Sequence, residues 1–404
     1  MNLLNELMQE TEKCINCGFC ESVCPTLPFM GYRATYGARG RVFISRESLR
    51  ELNSTGVISL NIGDSIFSCL ECYACYYVCP AGVNPGKVSQ MMRTIINREN
   101  KNRKNVADMI VRAIIRRKNP LGIRERMSSW AADIDFDRKS DTLLYTGGMY
   151  QLMAYSSFLS RIEGKLDVKT VERLASILKD KPELLGLIAI PERRMKERME
   201  KILRDIVFLL KRSGIDFNYL DKEEPYSGAF LYELGYMDEF IDYGKYLRDL
   251  FLSRGIKRII TLDPHTHEAL KILYPKYVEN FNFQVYHYLE LINLQLRKGN
   301  ERFVYHQPCH FTMHEDFDVP LGFITKMGVT ILPDRNGKSN FCCGGPAELL
   351  YPKLANSISN ERFKQLKEKG GDRIITACPI CFANLSKDST VFDISEVIRE
   401  YLNK

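Results

Sequence analysis

Beyond residue 140, short apolar runs alternate with longer amphipathic stretches. Arg258-Ile-Ile-Thr-Leu262 and Arg373-Ile-Ile-Thr-Ala377 are β-branched and flanked by turn residues, so both read as short buried strands. Segments 192–212 and 355–369 have helical character, and strand alternating with helix is an α/β pattern. Earlier in the chain, Val106, Met109, Ile110, Ala113 and Ile114 recur at helical spacing inside a basic stretch, 93–126, whose cations include Arg93, Lys101, Arg103, Arg112, Arg116, Arg117 and Arg126. That combination predicts a linker helix with a cationic face, ended by Asn119-Pro120, with a domain boundary near 120–140. The apolar stretch Ile206-Val-Phe-Leu-Leu210 suits a core helix, and no apolar run approaches the ~20 residues that span a bilayer.

Composition narrows the class. The 404 residues, with 45% hydrophobic and 26% charged, are those of a globular chain of about two or three domains. A net charge of +7 is too mild to argue for nucleic acid, and no partner of that kind is expected. The opening MNLLNELMQETEKC has acidic residues and no cationic segment, so a cytoplasmic, reducing setting is expected. Thirteen cysteines, clustered and odd in number, then read as metal ligands rather than disulfides.

Two clusters share the pattern C-x2-C-x2-C-x3-C-P: Cys14, Cys17, Cys20 and Cys24 before Pro25, and Cys69, Cys72, Cys75 and Cys79 before Pro80. Three closely spaced thiolates wrap three corners of a cubane, and in the two-cluster arrangement the fourth cysteine of each run serves the other cluster. This gives Cys14, Cys17, Cys20 and Cys79 for one 4Fe–4S cubane, and Cys69, Cys72, Cys75 and Cys24 for a second. Gly18 and Ala74 are expected to let the loops approach the inorganic sulfides. C-x2-C pairs also occur in zinc knuckles, but two full copies, each followed by proline, argue for iron. The block resembles the bacterial dicluster ferredoxins. Between the runs, Tyr36-Gly37-Ala38-Arg39-Gly40-Arg41-Val42 resembles the P-R-G-R segment of iron–sulfur subunits of flavin-linked glycolate, lactate and glycerol-3-phosphate dehydrogenases, with Ala38 in place of the usual proline. Arg39 and Arg41 either tie down the insertion or lend charge to a cluster or partner, and the sequence leaves both open.

A third group, Cys309, Cys342, Cys343, Cys378 and Cys381, has one thiol more than a cubane has corners. Its spacing resembles the cysteine-rich CCG domain of heterodisulfide reductases. The resemblance implies a further 4Fe–4S cluster on those five residues, its cubane or non-cubane form left open; zinc on four of them is the alternative. His306, His310 and His314 crowd around Cys309 as candidate donors to it, while Tyr73, Tyr76 and Tyr77 read as packing that shields the second run.

The strand-like runs also align with each other, which points to an internal repeat. In the first copy, the cysteine positions become Gly148 or Met149, Tyr226, Ser227, Asp263 and Thr266, so that site is expected to have lost its cluster; Asp263, His265 and His267 remain as an alternative metal set. The expected organisation is therefore multidomain, α+β with α/β parts: a helical dicluster ferredoxin-like domain over 1–105, a basic helical linker over 106–140, a degenerate CCG repeat over 141–270 and an intact CCG repeat over 271–404. No glycine-rich dinucleotide fingerprint or P-loop is present, so electrons must enter from another protein. As a whole the chain resembles the iron–sulfur subunits of glycolate and glycerol-3-phosphate dehydrogenases and the D-type subunit of heterodisulfide reductase. That implies an electron-transfer subunit between a flavoprotein (FAD) dehydrogenase or reductase subunit and quinone or another acceptor, cytoplasmic or peripheral on the inner membrane face, with no catalytic residue of its own. The alternative is a heterodisulfide reductase-like catalytic subunit in which the C-terminal cluster performs disulfide/thiol chemistry.

Overall fold

The computed structural model describes residues 3–99, 104–124, 127–156, 168–181, 184, 186, 189–313 and 317–403. His314, Lys101, Arg103 and Arg126, which enter the expectations above, lie outside them.

The N-terminal part is helical. Leu3–Glu12, Ala38–Thr55 and Pro85–Glu99 pack together around Leu7, Val42, Leu49, Ile66, Met92 and Ile95. Each cysteine run contributes only one short helical turn, Phe19–Ser22 and Ala74–Tyr77.

Two four-stranded, all-parallel sheets follow. The first has the order β2-β1-β3-β4, with β1 Thr142–Tyr145, β2 Asn218–Tyr219, β3 Arg258–Thr261 and β4 Gln284–His287. The second has the order β6-β5-β7-β8, with β5 Arg302–Tyr305, β6 Val329–Ile331, β7 Arg373–Thr376 and β8 Val391–Asp393. The central strands are near-continuous apolar runs because helices cover parallel sheets on both faces; Leu144 lies opposite Ile260, and Val304 opposite Ile374. Helix Arg193–Arg212 joins the two halves, packing on Met149–Met153 of the first and Ile394–Glu400 of the second. Arg198 reinforces that seam by donating to Glu396 at 3.0 Å.

Three expectations shift. The first sheet runs on to His287, past a division at 270, because β3 takes β4 as a further parallel neighbour. The basic stretch forms two helices, Pro85–Glu99 and Asn105–Arg117, and the second buries Val106, Ile110 and Ile114 in the same core as the first sheet. Much of its expected cationic face is spent internally. Arg93 is buried against Glu71 at 2.5 Å, Lys104 pairs with Asp64, and Arg112 pairs with Asp180.

Among the described residues, no helix is long and apolar enough to cross a membrane.

Candidate functional site

The two N-terminal runs repeat one backbone path. Asn16 and Glu71 have φ 59 and 48°, and Gly18 and Tyr73 have φ 86 and 57°, each pair at the same place in its run. The second run therefore holds a tyrosine in the left-handed region at the position glycine occupies in the first; the small Ala74 follows it and does not substitute for that glycine. Burial pushes the Cys20 thiol up to about 12, with Glu21, Cys14 and Cys79 adding to the rise. Cys24, Cys69, Cys72 and Cys75 line one cavity of about 20 Å³ together with Arg41.

Arg41 is almost wholly buried at 1% exposure. Its guanidinium donates to the Ser65 carbonyl (2.7 Å), Thr26 Oγ1 (2.9 Å), Ser68 Oγ (3.1 Å) and the Cys24 sulfur (3.7 Å). Burial alone would raise Cys24, but the Arg41 charge and the Thr26 hydroxyl outweigh it and draw the thiol below its ordinary value. Arg39 does the other job, pairing with Glu21 at 3.0 Å and donating to the Asn16 carbonyl. The two arginines of the insertion thus divide the roles that the sequence left open between them.

The five C-terminal cysteines are all buried and stand at the carboxyl end of the second sheet, where open α/β sheets place their ligands. Cys309 follows β5; Cys378 caps helix Pro379–Leu385 after β7, with Cys381 in its first turn. Cys342 and Cys343 lie on a loop that turns at Gly344, φ 87°, where a Cβ would come within 2.6 Å of the Ala355 carbonyl oxygen. The sulfurs form a chain of contacts: Cys309 to Cys342, Cys342 to Cys343, Cys343 to Cys381, and Cys381 to Cys378. Burial opposes ionisation of Cys378, yet Cys381 and His265 overcome it and bring that thiol down to about 6. His306 accepts from Arg362 on Nδ1 (3.2 Å), so its other nitrogen carries the proton. Donor atoms of His306, Cys343 and Cys381 lie within 4.8 Å of one another.

The three cysteine groups lie next to one another. Cys75 feels the charge of Cys20 from the first group, and Cys72 feels that of Cys309 from the third. Tyr77 fastens the second run to the Cys309 loop, its hydroxyl donating to the carbonyls of Thr312 (2.7 Å) and Met313 (3.0 Å). Arg335 fastens the first run to the Cys342 loop by donating to the Val23 carbonyl (2.7 Å) and to the Asn340 carbonyl (3.3 Å). Nothing in the sequence marks Arg335 or Arg362, since each acts across the fold on residues distant in the chain.

An apolar cavity of about 70 Å³ adjoins the third group, lined by Met109, Ile110, Leu152, Met153, Gly345, Pro346 and Ile380 among others.

The donor chemistry fits iron–sulfur clusters. All thirteen cysteines are free thiols, and backbone N–H groups of Val83, Gly344 and Gly345 already donate to Cys79, Cys342 and Cys343 sulfurs at 3.3, 3.4 and 3.5 Å. Comparison with known families agrees: residues 10–83 match a 4Fe-4S dicluster domain, and residues 303–386 match the CCG cysteine-rich domain. The chain thus carries both domains and resembles the CCG-domain iron–sulfur oxidoreductases. One relative of this CCG-domain chain is the D-type subunit of the dihydromethanophenazine:CoB–CoM heterodisulfide reductase of Methanosarcina barkeri, 22% identical over 99% of this chain and 96% of the relative. Another is the EtfAB:quinone oxidoreductase of Syntrophomonas wolfei, 22% identical over 96% of this chain but 58% of the relative. The glycolate oxidase iron-sulfur subunit of Escherichia coli is 31% identical over 26% of this chain and 25% of the relative. Iron–sulfur electron transfer is what these relatives and domains have in common.

The alternative set Asp263, His265 and His267 does not converge. His267 turns to Thr261, its Nδ1 2.8 Å from Oγ1, whereas His265 pairs with Glu233 at 2.7 Å and reaches Cys378.

Proposed function

We propose that this chain is the iron–sulfur relay of a multi-subunit oxidoreductase, carrying electrons between a flavoprotein (FAD) dehydrogenase subunit and quinone or another acceptor. In this reading Cys14, Cys17, Cys20 and Cys79 hold one 4Fe–4S cubane; Cys24, Cys69, Cys72 and Cys75 hold a second; Cys309, Cys342, Cys343, Cys378 and Cys381 hold a third 4Fe–4S cluster, cubane or non-cubane. Such clusters, when bound, supply one-electron carriers. The observation that carries the proposal is that the three groups adjoin one another, the second run tied to the Cys309 loop by Tyr77 and the first to the Cys342 loop by Arg335, since a relay needs its carriers close together.

The chain's own residues tune and bound those groups. Arg41 places a fixed positive charge on Cys24, and Arg335 places another among Cys72, Cys24 and Cys342. Around the first run, Ile15, Phe19 and Tyr32 are exposed at 66, 62 and 74%, an apolar rim suited to a docked partner subunit. A partner there would meet the exposed Cys17 of the first group. We assign the helical region to about residue 105 to the dicluster domain, the first sheet to a degenerate CCG repeat and the second to the intact one. The chain is cytoplasmic in this reading, meeting the inner membrane face through its partner.

The apolar cavity beside Gly345 and Ile380, near the third cysteine group, favours a second reading, a heterodisulfide reductase-like subunit whose third cluster performs disulfide/thiol chemistry. Against it, the first sheet offers no thiols, whereas disulfide cleavage needs two electrons and two thiolate products. Replacing Cys342 and Cys343 together by alanine separates the readings. A relay keeps oxidising its flavin-side substrate with an artificial acceptor and loses quinone reduction. Viologen-driven cleavage of a small disulfide by the isolated wild-type chain, abolished in the double variant, would favour the second reading.

A further inference from the structure

Between the two sheets and the second cysteine run lies a buried group that the iron–sulfur reading does not use. His265, just after β3, and His310, just after Cys309, bring their rings to 3.6 Å between centroids. Each faces a carboxylate: His265 Nδ1 lies 2.7 Å from Glu233, and His310 Nδ1 contacts Glu268. The side chains of both histidines and of Glu268 are more than nine-tenths buried, and that of Glu233 is 15% exposed. One ligand atom each from Glu233, His265 and His310 lies within 4.8 Å of the other two. The same groups, with Glu268 and Glu71, line part of a void of about 10 Å³, roughly the room one water or one ion occupies, whose other walls include Tyr73 and Met313.

A single divalent ion in the void would deliver two positive charges at one point, with a ring nitrogen from each histidine and a carboxylate oxygen of Glu233 close enough to hold it. Two imidazoles and one carboxylate are a donor set for zinc, with a fourth position left for water. Glu268 then occupies the outer position, a carboxylate that holds His310 in its tautomer.

From this geometry we infer that Glu233, His265 and His310, steadied by Glu268, form a mononuclear divalent-metal site of the zinc class, separate from the thirteen cysteines. The site joins the two sheets: Glu233 ends helix Ala229–Glu233, His265 lies in the first turn of helix Pro264–Glu268, and His310 lies on the turn Cys309–Phe311. His265 also reaches the Cys378 sulfur, so its second nitrogen ties the metal site to the third cysteine group. The inference stands without the relay reading.

The test uses the full chain isolated without oxygen, given one equivalent of zinc sulfate and desalted. About one zinc should remain per chain with the iron content unchanged, and zinc-edge X-ray absorption should find only nitrogen and oxygen neighbours. Glu233→Gln and Glu268→Gln, neither next to a cysteine, should each weaken zinc binding by about 10–100-fold at constant iron. Failure to retain zinc would overturn the site, as would unchanged affinity in both variants. Sulfur in the zinc shell would overturn it too; if it came with a shortfall of iron, the zinc would be in the Cys309–Cys381 group, and the third cluster of the relay reading would fall separately.

Discussion

At the end of β3 stands Asp263, and at the end of β7 stands Cys378; each is the residue that opens a short helix whose next position is proline. Asp263 accepts a hydrogen bond from the Thr266 backbone N–H at 2.9 Å, an ordinary cap, while Cys378 makes no such bond and its sulfur is left to the other cysteines. The same contrast holds one loop away. Gly228 and Gly344 share a left-handed turn, φ 83 and 87°, yet Tyr226 and Ser227 precede the first and Cys342 and Cys343 the second. Around the first turn the space is filled: Tyr274 donates to the Ser227 carbonyl at 2.8 Å, and a Cβ on Gly147 would lie 2.3 Å from Thr266 Oγ1. Strand order and turn geometry are therefore held in common, and the chemistry resides in a few residues at the strand ends.

The strongest way to break this comparison is to exchange those residues. Cys378→Ser should remove about four irons per chain, as expected for one 4Fe–4S cluster, whereas Asp263→Ala should leave iron unchanged and cost about 0.5–2 kcal/mol as a lost cap. Iron assay beside urea denaturation reads both. Equal iron loss in the two variants would mean that the first sheet also holds a cluster.

Below the strand ends the sheets should respond alike. Ile260 and Ile375 are both fully buried at the centre of their sheets, so Ile260→Ala and Ile375→Ala should each destabilise by about 2–5 kcal/mol, seen as matching shifts in the denaturation midpoint. A much smaller effect in one sheet would show that it is loosely packed.

Much of this architecture was legible in the sequence. The β-branched runs at 258–262 and 373–377 identified β3 and β7, and cysteine spacing identified the dicluster and CCG domains. β4 was missed because Gln284–His287 is short and exposes alternate residues, so it lacks the apolar run that marked its neighbour. The cationic face was over-read because charge along the chain says nothing of partners across the fold: Arg93 answers Glu71, and Arg112 answers Asp180. Arg41 looked like Arg39 in sequence, and only tertiary packing put one in the interior and the other on the rim.

That difference predicts a smaller effect. Arg41→Ala should cost about 1–3 kcal/mol by removing the guanidinium donor from the Thr26 and Ser68 hydroxyls and one of the two donors to the Ser65 carbonyl, which keeps the Ser68 hydroxyl. It should also lower the reduction potential of a cluster on Cys24, read by redox titration, because a nearby cation favours the added electron. Arg39→Ala should change stability by no more than about 1 kcal/mol, as its pair with Glu21 is partly exposed.

The smallest effect is a pH slope. Burial raises Glu224 beside the first sheet to about 8 and Asp393 in the second to about 7. Both bind a proton more tightly folded than unfolded, so their contribution is complete below the unfolded values near ~4 and is lost as pH rises through about 8 and about 7. Urea midpoints should therefore fall from mildly acidic to mildly alkaline pH, and Glu224→Gln and Asp393→Asn should each flatten part of that slope. An unchanged slope in both variants would assign it to other groups.

The central claim is that one sheet carries a cluster beside two cubanes and the other carries none. Iron and acid-labile sulfide, counted on the full chain isolated without oxygen, test it most directly. Three 4Fe–4S clusters require about twelve irons and about twelve sulfides per chain. A count near eight would contradict the third cluster, and a count near sixteen would contradict the silence of the first sheet.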